Sequence, residues 1–499
     1  MTQLTPGLIL GIVGAYFLVL MLVSYFTGKD ADDADFFLAK RQSPWYLVAF
    51  GMIGATLSGV TFISVPGWVG ASQFSYMQMV FGYLLGYFII ATVLMPMYYR
   101  LQLTSIYTYL GQRFGPLSYK TGAGFFLLSR TIGASFRLYL VAIVLQEFVM
   151  QSFGIPFWLT VLMTIILIWV YTFRGGIRTI VWTDTLQTFC MLSAMILTVV
   201  VIAQKLHLSA GELWETVSRS EYSQVFFFEG GWSDPKNFFK QFLAGASIAI
   251  VMTGLDQDMM QKNLSCRSIG DAQKNMFWFS IVLVFAKFLF LALGALLFIY
   301  AGEVGIEMPT KMVNGVVSPD TDLLYPTIAL GSLGPAIGIV FLLGLIAAAY
   351  SSADSALTAL TTSFCVDFLG FEEEGKEYSQ RTRVYVHIGF SVLLFLVILA
   401  FWMVNDKAVI AQIFTVASYT YGPLLGLYAF GFFTKRPILD KYAPIVCIAA
   451  PIITFVLNKY SELLFFGYKF GFELLILNGL LTFIGLVFIS YQQNAEEFR

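Results

Sequence analysis

The sequence predicts an all-α polytopic membrane protein, and three observations carry that prediction. Of its 499 residues 58% are hydrophobic and 12% are charged, with a mean hydropathy of +0.77, a composition that lipid solvates and water does not. The apolar residues are gathered into runs long enough to cross about 30 Å of hydrocarbon as helices of roughly 20 residues. Lysine and arginine are dense in alternate loops between those runs, as expected when successive loops lie on opposite sides of a bilayer.

Thirteen runs qualify: 6–26, 45–70, 75–98, 121–150, 156–173, 180–203, 238–260, 276–300, 335–364, 385–404, 409–433, 443–457 and 471–490. The fifth, seventh and twelfth are the shortest or the most interrupted by polar residues. One set of loops holds eighteen lysines and arginines and the opposite set holds seven. Because basic residues are retained on the cytoplasmic side, the amino terminus is expected outside and the carboxyl terminus inside. The first run has no basic segment ahead of it, so it is expected to be a retained span and not a cleaved signal. The longest loops, 204–237 and 301–334, come out external and resemble no kinase or nucleotide-binding domain.

Several functions have no material here. A net charge of −1 and a pI near 6.2 give no basic surface for nucleic acid. Cys190, Cys266, Cys365 and Cys447 lack the paired spacing of zinc or redox sites. His207 and His387 are the only histidines, too few for histidine catalysis or a histidine metal centre. A membrane enzyme should gather aspartates or histidines at a membrane face, and the sequence shows no such cluster; no enzyme is expected. A sensor would carry a signalling module, whereas this sequence ends nine residues after the last run.

What remains is the polar content of the runs, since each ionisable group at mid-membrane costs at least ~2.5 kcal/mol and is a functional candidate. These groups are Arg130 and Arg137 in the fourth run, Asp184 in the sixth, Lys287 in the eighth and Asp354 in the ninth. In the ninth, Ala348, Ser351, Ser352 and Ser355 recur at helical spacing and share one face. Such a stripe, with Asp354 beside it, offers oxygen to a hard cation such as sodium, although hydroxyls in membrane helices also bond their own backbone or join helices. The second run carries Gly51, Gly54, Gly59 and Pro66, a composition ill-suited to an unbroken helix. A break would free carbonyls that the bilayer tolerates only around a cavity or an ion; close helix packing is the other use of such glycines.

Several motifs together resemble the sodium:solute symporter family, over nearly the whole chain. They are YTFRGGIRTIVWTDTLQ from Tyr171 to Gln187, GLDQDMMQKNLSCRS from Gly254 to Ser268, the serine-rich ninth run, and TYGPLLGLYAFGFF in the eleventh. The resemblance implies sodium-coupled secondary active symport of a small polar solute. It also implies a LeuT-type core of two inverted five-helix repeats, with 1–44 as an extra helix and loop, 45–203 and 238–433 as the repeats, 204–237 as an external loop, and 434–499 as two further helices and a tail. The main Na+ site would use carbonyls of Gly54, Leu57 and Ala348 and the hydroxyls of Ser351 and Ser352. A second Na+ would take Asp184, Ser351, Asp354 and Ser355, with Asp354 standing where the sialic acid relative has a serine.

For the solute, the positions that match the family are Ser58, Thr61, Gln78, Asp256, Gln257 and Lys287. Lys287 matches a lysine that contacts sugar in a galactose-transporting relative and favours a polyhydroxylated solute. Arg137 favours an anion, because a guanidinium pairs a carboxylate through two hydrogen bonds. Arg130 either joins it or reaches toward the cytoplasmic face. A multi-pass protein of the inner (plasma) membrane is expected, with a membrane-embedded sensor or a proton-coupled transporter of the same fold as the alternatives.

Overall fold

Within lipid every backbone N–H and C=O must be satisfied inside its own segment, which leaves helices as the way across for runs of this length. The structure, a computed structural model, describes residues 6–29, 33–172, 176–313, 316–371, 380–404 and 409–491. Phe173, Arg174 and Gly175 of the first signature, and the basic loop residues Lys376, Lys407 and Arg499, lie outside the described residues.

Helix α1 is Pro6–Gly28. The second run becomes α2 (Trp45–Thr56) and α3 (Gly59–Ser72), bent by 54°. Next come α4 (Tyr76–Ile89, continued to Arg100), α5 (Pro116–Phe148), α6 (Phe157–Thr172) and α7 (Gly176–Lys205). The seventh run is not one straight helix: α8 (Phe238–Ala249, continued to Gly254) meets α9 (Gln257–Leu264) at 63°. Helix α10 (Ile269–Val304) starts at Ser268, whose Oγ accepts the Asp271 N–H, and stops at Gly305, whose φ of 71° ends it. The chain continues with α11 (Pro335–Ser363), α12 (Gln380–Val404), α13 (Val409–Thr420), α14 (Gly422–Phe433), α15 (Ala443–Lys459) and α16 (Leu474–Phe488).

Among the described residues, eight helices are long and apolar enough to cross a membrane, the two bent pairs raise this to ten, and α6, α14 and α16 are shorter apolar helices. The fold departs from pure helix in the loop 301–334, where Thr310–Val313 and Val316–Pro319 pair as an antiparallel hairpin. Polarity is inverted relative to a water-soluble protein: Phe26, Phe285 and Phe433 are 75%, 66% and 84% exposed, while Asp184, Ser351, Ser352 and Asp354 are fully buried. An apolar exterior around a polar centre is what a bilayer selects.

The centre is closed by helices whose backbones touch. Helices α7 and α11 pack together, as do α4 and α8. In the second pair a Cβ at Gly82 would run into the Phe242 carbonyl, and one at Gly245 into the backbone of Met79, the close approach that small residues permit in membranes. Gly82→Val is therefore expected to force the two helices apart at a cost of about 1–3 kcal/mol. Its thermal unfolding midpoint in detergent should fall well below that of the parent, and an unchanged midpoint would contradict the packing described.

Candidate functional site

The break between α2 and α3 falls at Leu57 and Ser58, with Ser58 leaving the helical region at ψ 170°. Pro66 does not cause it, since that residue sits inside α3; the break lies between Gly54 and Gly59. The carbonyls of Gly54 and Leu57 meet no donor among the described residues. Helix α11 lies against this break: Ser352 Oγ donates to the Ala55 carbonyl at 3.2 Å, and a Cβ at Gly59 would stand 3.9 Å from the Ala349 Cα. The serine face of the ninth run and the freed carbonyls of the second thus come to one place, with Ala348 buried beside them.

At the other break the freed carbonyls are already satisfied. Tyr98 donates to the Gly254 carbonyl at 2.9 Å and Tyr107 to that of Leu255 at 3.0 Å. Asp256 then caps α9, its Oδ1 accepting the Asp258 N–H at 3.0 Å.

Ser351 Oγ donates to Asp184 Oδ1 at 2.6 Å. With its proton committed there, the hydroxyl keeps both lone pairs for a cation. The other oxygen of Asp184 is held by Lys262, whose ammonium donates to Oδ2 at 2.6 Å. Asp354 accepts from Tyr171 OH at 2.8 Å and from the Ser355 N–H at 2.6 Å. The Ser355 hydroxyl is buried without a hydrogen bond. Lys262 and Tyr171 did not stand out as site residues in the sequence. Hydropathy ends the seventh run at Met260 and so puts Lys262 in a basic loop, whereas it is 1% exposed on α9.

Next to the first break lies a cavity of about 90 Å³ whose wall includes Ser58, Thr61, Arg137 and Lys287 from the expected solute set. Lys287 Nζ donates to Thr61 Oγ1 at 2.8 Å and stands 5.4 Å from the centre of the Tyr76 ring. Tyr83, Tyr87 and Thr253 add further hydroxyls. Arg130 also reaches this wall, but it is ion-paired with Asp258 and lies 3.9 Å from Asp256. Arg137 and Lys287, by contrast, have no carboxylate within ion-pair distance among the described residues.

The remaining three expected solute residues lie outside the cavity wall. Gln78 donates to the Lys236 carbonyl at 2.8 Å and accepts the Phe227 N–H at 3.1 Å, so it anchors the loop ahead of α8. Gln257 accepts from the Ile106 N–H at 3.0 Å and donates to the Thr104 carbonyl at 2.7 Å. Asp256, besides capping α9, accepts from Tyr421 OH at 2.5 Å.

The pattern of the "Sodium:solute symporter family" matches residues 36–438. The sodium/sialic acid symporter SiaT of Proteus mirabilis is 25% identical over 473 residues, covering 91% of this chain and 90% of that protein. The human sodium/iodide cotransporter is 23% identical over 412 residues, covering 81% of this chain and 62% of that protein. A solved structure of a Na+-coupled sialic acid symporter, substrate-bound and outward-open, superposes with a TM-score of 0.81 at 20% identity over 97% of this chain and 99% of that one. That likeness establishes the LeuT-type fold.

Proposed function

Because the chain belongs to the sodium:solute symporter family, and so couples Na+ to the passage of a small solute across a membrane, we propose that its solute is a small organic anion bearing hydroxyl groups, of the acidic-sugar class. The observation that carries this reading is the pair of cations, Arg137 and Lys287, that face the cavity without a carboxylate partner. Buried charge is costly unless paired, and an anionic solute supplies the pairing. A carboxylate fits the guanidinium fork of Arg137. Ser58, Thr61 and the tyrosines offer hydroxyls to a ring or chain of hydroxyls. The relatives named for sialic acid and for iodide are both named for anions, which supports the same class.

Sodium is the second cargo. We place it at the first break, among the carbonyls of Gly54, Leu57 and Ala348 and the hydroxyls of Ser351 and Ser352. Two features support that position: the carbonyls of Gly54 and Leu57 meet no donor among the described residues, and Asp184 has drawn the Ser351 proton away from the site. Ion and solute then share one interrupted helix, because Ser58 and Thr61 of the cavity follow directly on the ion's carbonyl ligands. Occupation of one side therefore favours the geometry that the other needs. Downhill sodium supplies about 2.3 kcal/mol per 100 mV and about 1.4 kcal/mol per tenfold gradient, so one ion sustains accumulation on the order of a few hundredfold. The excess of basic residues in one set of loops supports an amino terminus outside, a cytoplasmic carboxyl terminus and inward transport at the plasma membrane.

Uptake into proteoliposomes tests the proposal. Sialic acid is expected to be concentrated when sodium is high outside, and not when potassium or choline replaces it. A neutral hexose should compete poorly. Concentration of the hexose in preference to every acidic sugar tried would overturn the anion assignment, and uptake driven by a pH gradient without sodium would favour proton coupling.

A further inference from the structure

The family resemblance offers a second sodium the carboxylates of Asp184 and Asp354 and the hydroxyls of Ser351 and Ser355. These residues do not present an open cation site. Each of the four carboxylate oxygens already accepts a protein donor: Ser351 and Lys262 on Asp184, Tyr171 and the Ser355 N–H on Asp354. One of those donors is itself a cation. The Lys262 ammonium reaches Asp184 from α9, a short helix of the other repeat, and the whole pair is sealed from solvent. An added sodium would have to share one carboxylate with a fixed positive charge in a place where water cannot screen the two.

We infer that Lys262 is a tethered substitute for a second sodium, so that this protein carries one sodium per cycle. The ammonium gives Asp184 the positive partner that a buried carboxylate requires, and leaves Asp184 able to hold the Ser351 hydroxyl in the orientation the main site uses. The inference rests on the sodium site proposed above, and it predicts what removal of the tether does. Without the ammonium, Asp184 Oδ2 loses its donor, and the unpartnered Ser355 hydroxyl becomes one more oxygen for a mobile cation.

The test is equilibrium binding of radiolabelled sodium to the purified full-length protein in potassium buffer, with no solute present. The parent is expected to saturate at one sodium per chain, Lys262→Gln at two, and Lys262→Arg, which keeps the fixed charge, at one. A parent that binds two overturns the inference, as does a Lys262→Gln protein that melts like the parent yet binds one. Should Lys262→Gln fail to fold, the parent's count decides alone. A parent that binds no sodium would instead defeat the site at the first break, an outcome distinct from either of these.

Discussion

Ser352→Ala is expected to abolish sodium-driven uptake at ordinary sodium concentrations while leaving an inserted, folded protein. The hydroxyl spans the gap between α11 and the broken end of α2, at 3.2 Å from the Ala55 carbonyl, where the ion is proposed to sit. Alanine removes one oxygen and adds no bulk, so packing is kept. Loss of one liganding hydroxyl costs about 1–3 kcal/mol, which moves the sodium concentration for half-maximal uptake up by roughly five- to 150-fold. Sodium titration of uptake in vesicles, beside a melting curve of the same preparation, separates an ion-site defect from a folding defect. Unchanged sodium affinity would remove Ser352 from the site.

Arg137→Ala should act on the solute alone. Truncating one partner of a buried charge pair costs 2–5 kcal/mol or more, so half-saturation by an acidic solute should rise by roughly thirtyfold to several thousandfold, while the sodium dependence at saturating solute is kept. Arg130 provides the contrast. Its guanidinium is already neutralised by Asp258, so Arg130→Ala leaves a buried carboxylate alone and should cost about 3–5 kcal/mol of stability. Measured side by side, solute affinity should report Arg137 and thermal stability should report Arg130. Equal effects of both on both would show that the two arginines are not distinguished by their partners.

Much of this architecture was legible from hydropathy, because lipid imposes a length on each apolar run and makes any ionisable residue within it conspicuous. The break in the second run could be expected from its glycines, and the ninth run's serines showed their common face by spacing alone. Lys262 was not legible. Linear hydropathy ends the seventh run at Met260, just ahead of Gln261, Lys262 and Asn263, and cannot show that the chain turns by 63° and keeps those residues buried. Gln78, Asp256 and Gln257 illustrate a related limit. A buried amide or carboxylate in a polytopic chain serves either a cargo or a stretch of backbone that has lost its partners, and only the three-dimensional arrangement tells which. Here the loop before α8 takes Gln78, the start of α9 takes Asp256, and the backbone at Thr104 and Ile106 takes Gln257.

The two phenols over the carbonyls of Gly254 and Leu255 have a wider meaning. A molecule made of two inverted copies inherits the same kink twice, and with it two equivalent chances to trap a metal ion. Tyr98 and Tyr107 stopper one of them. The two breaks are therefore unlike in chemistry: phenols cover the carbonyls of Gly254 and Leu255, whereas those of Gly54 and Leu57 meet no donor among the described residues.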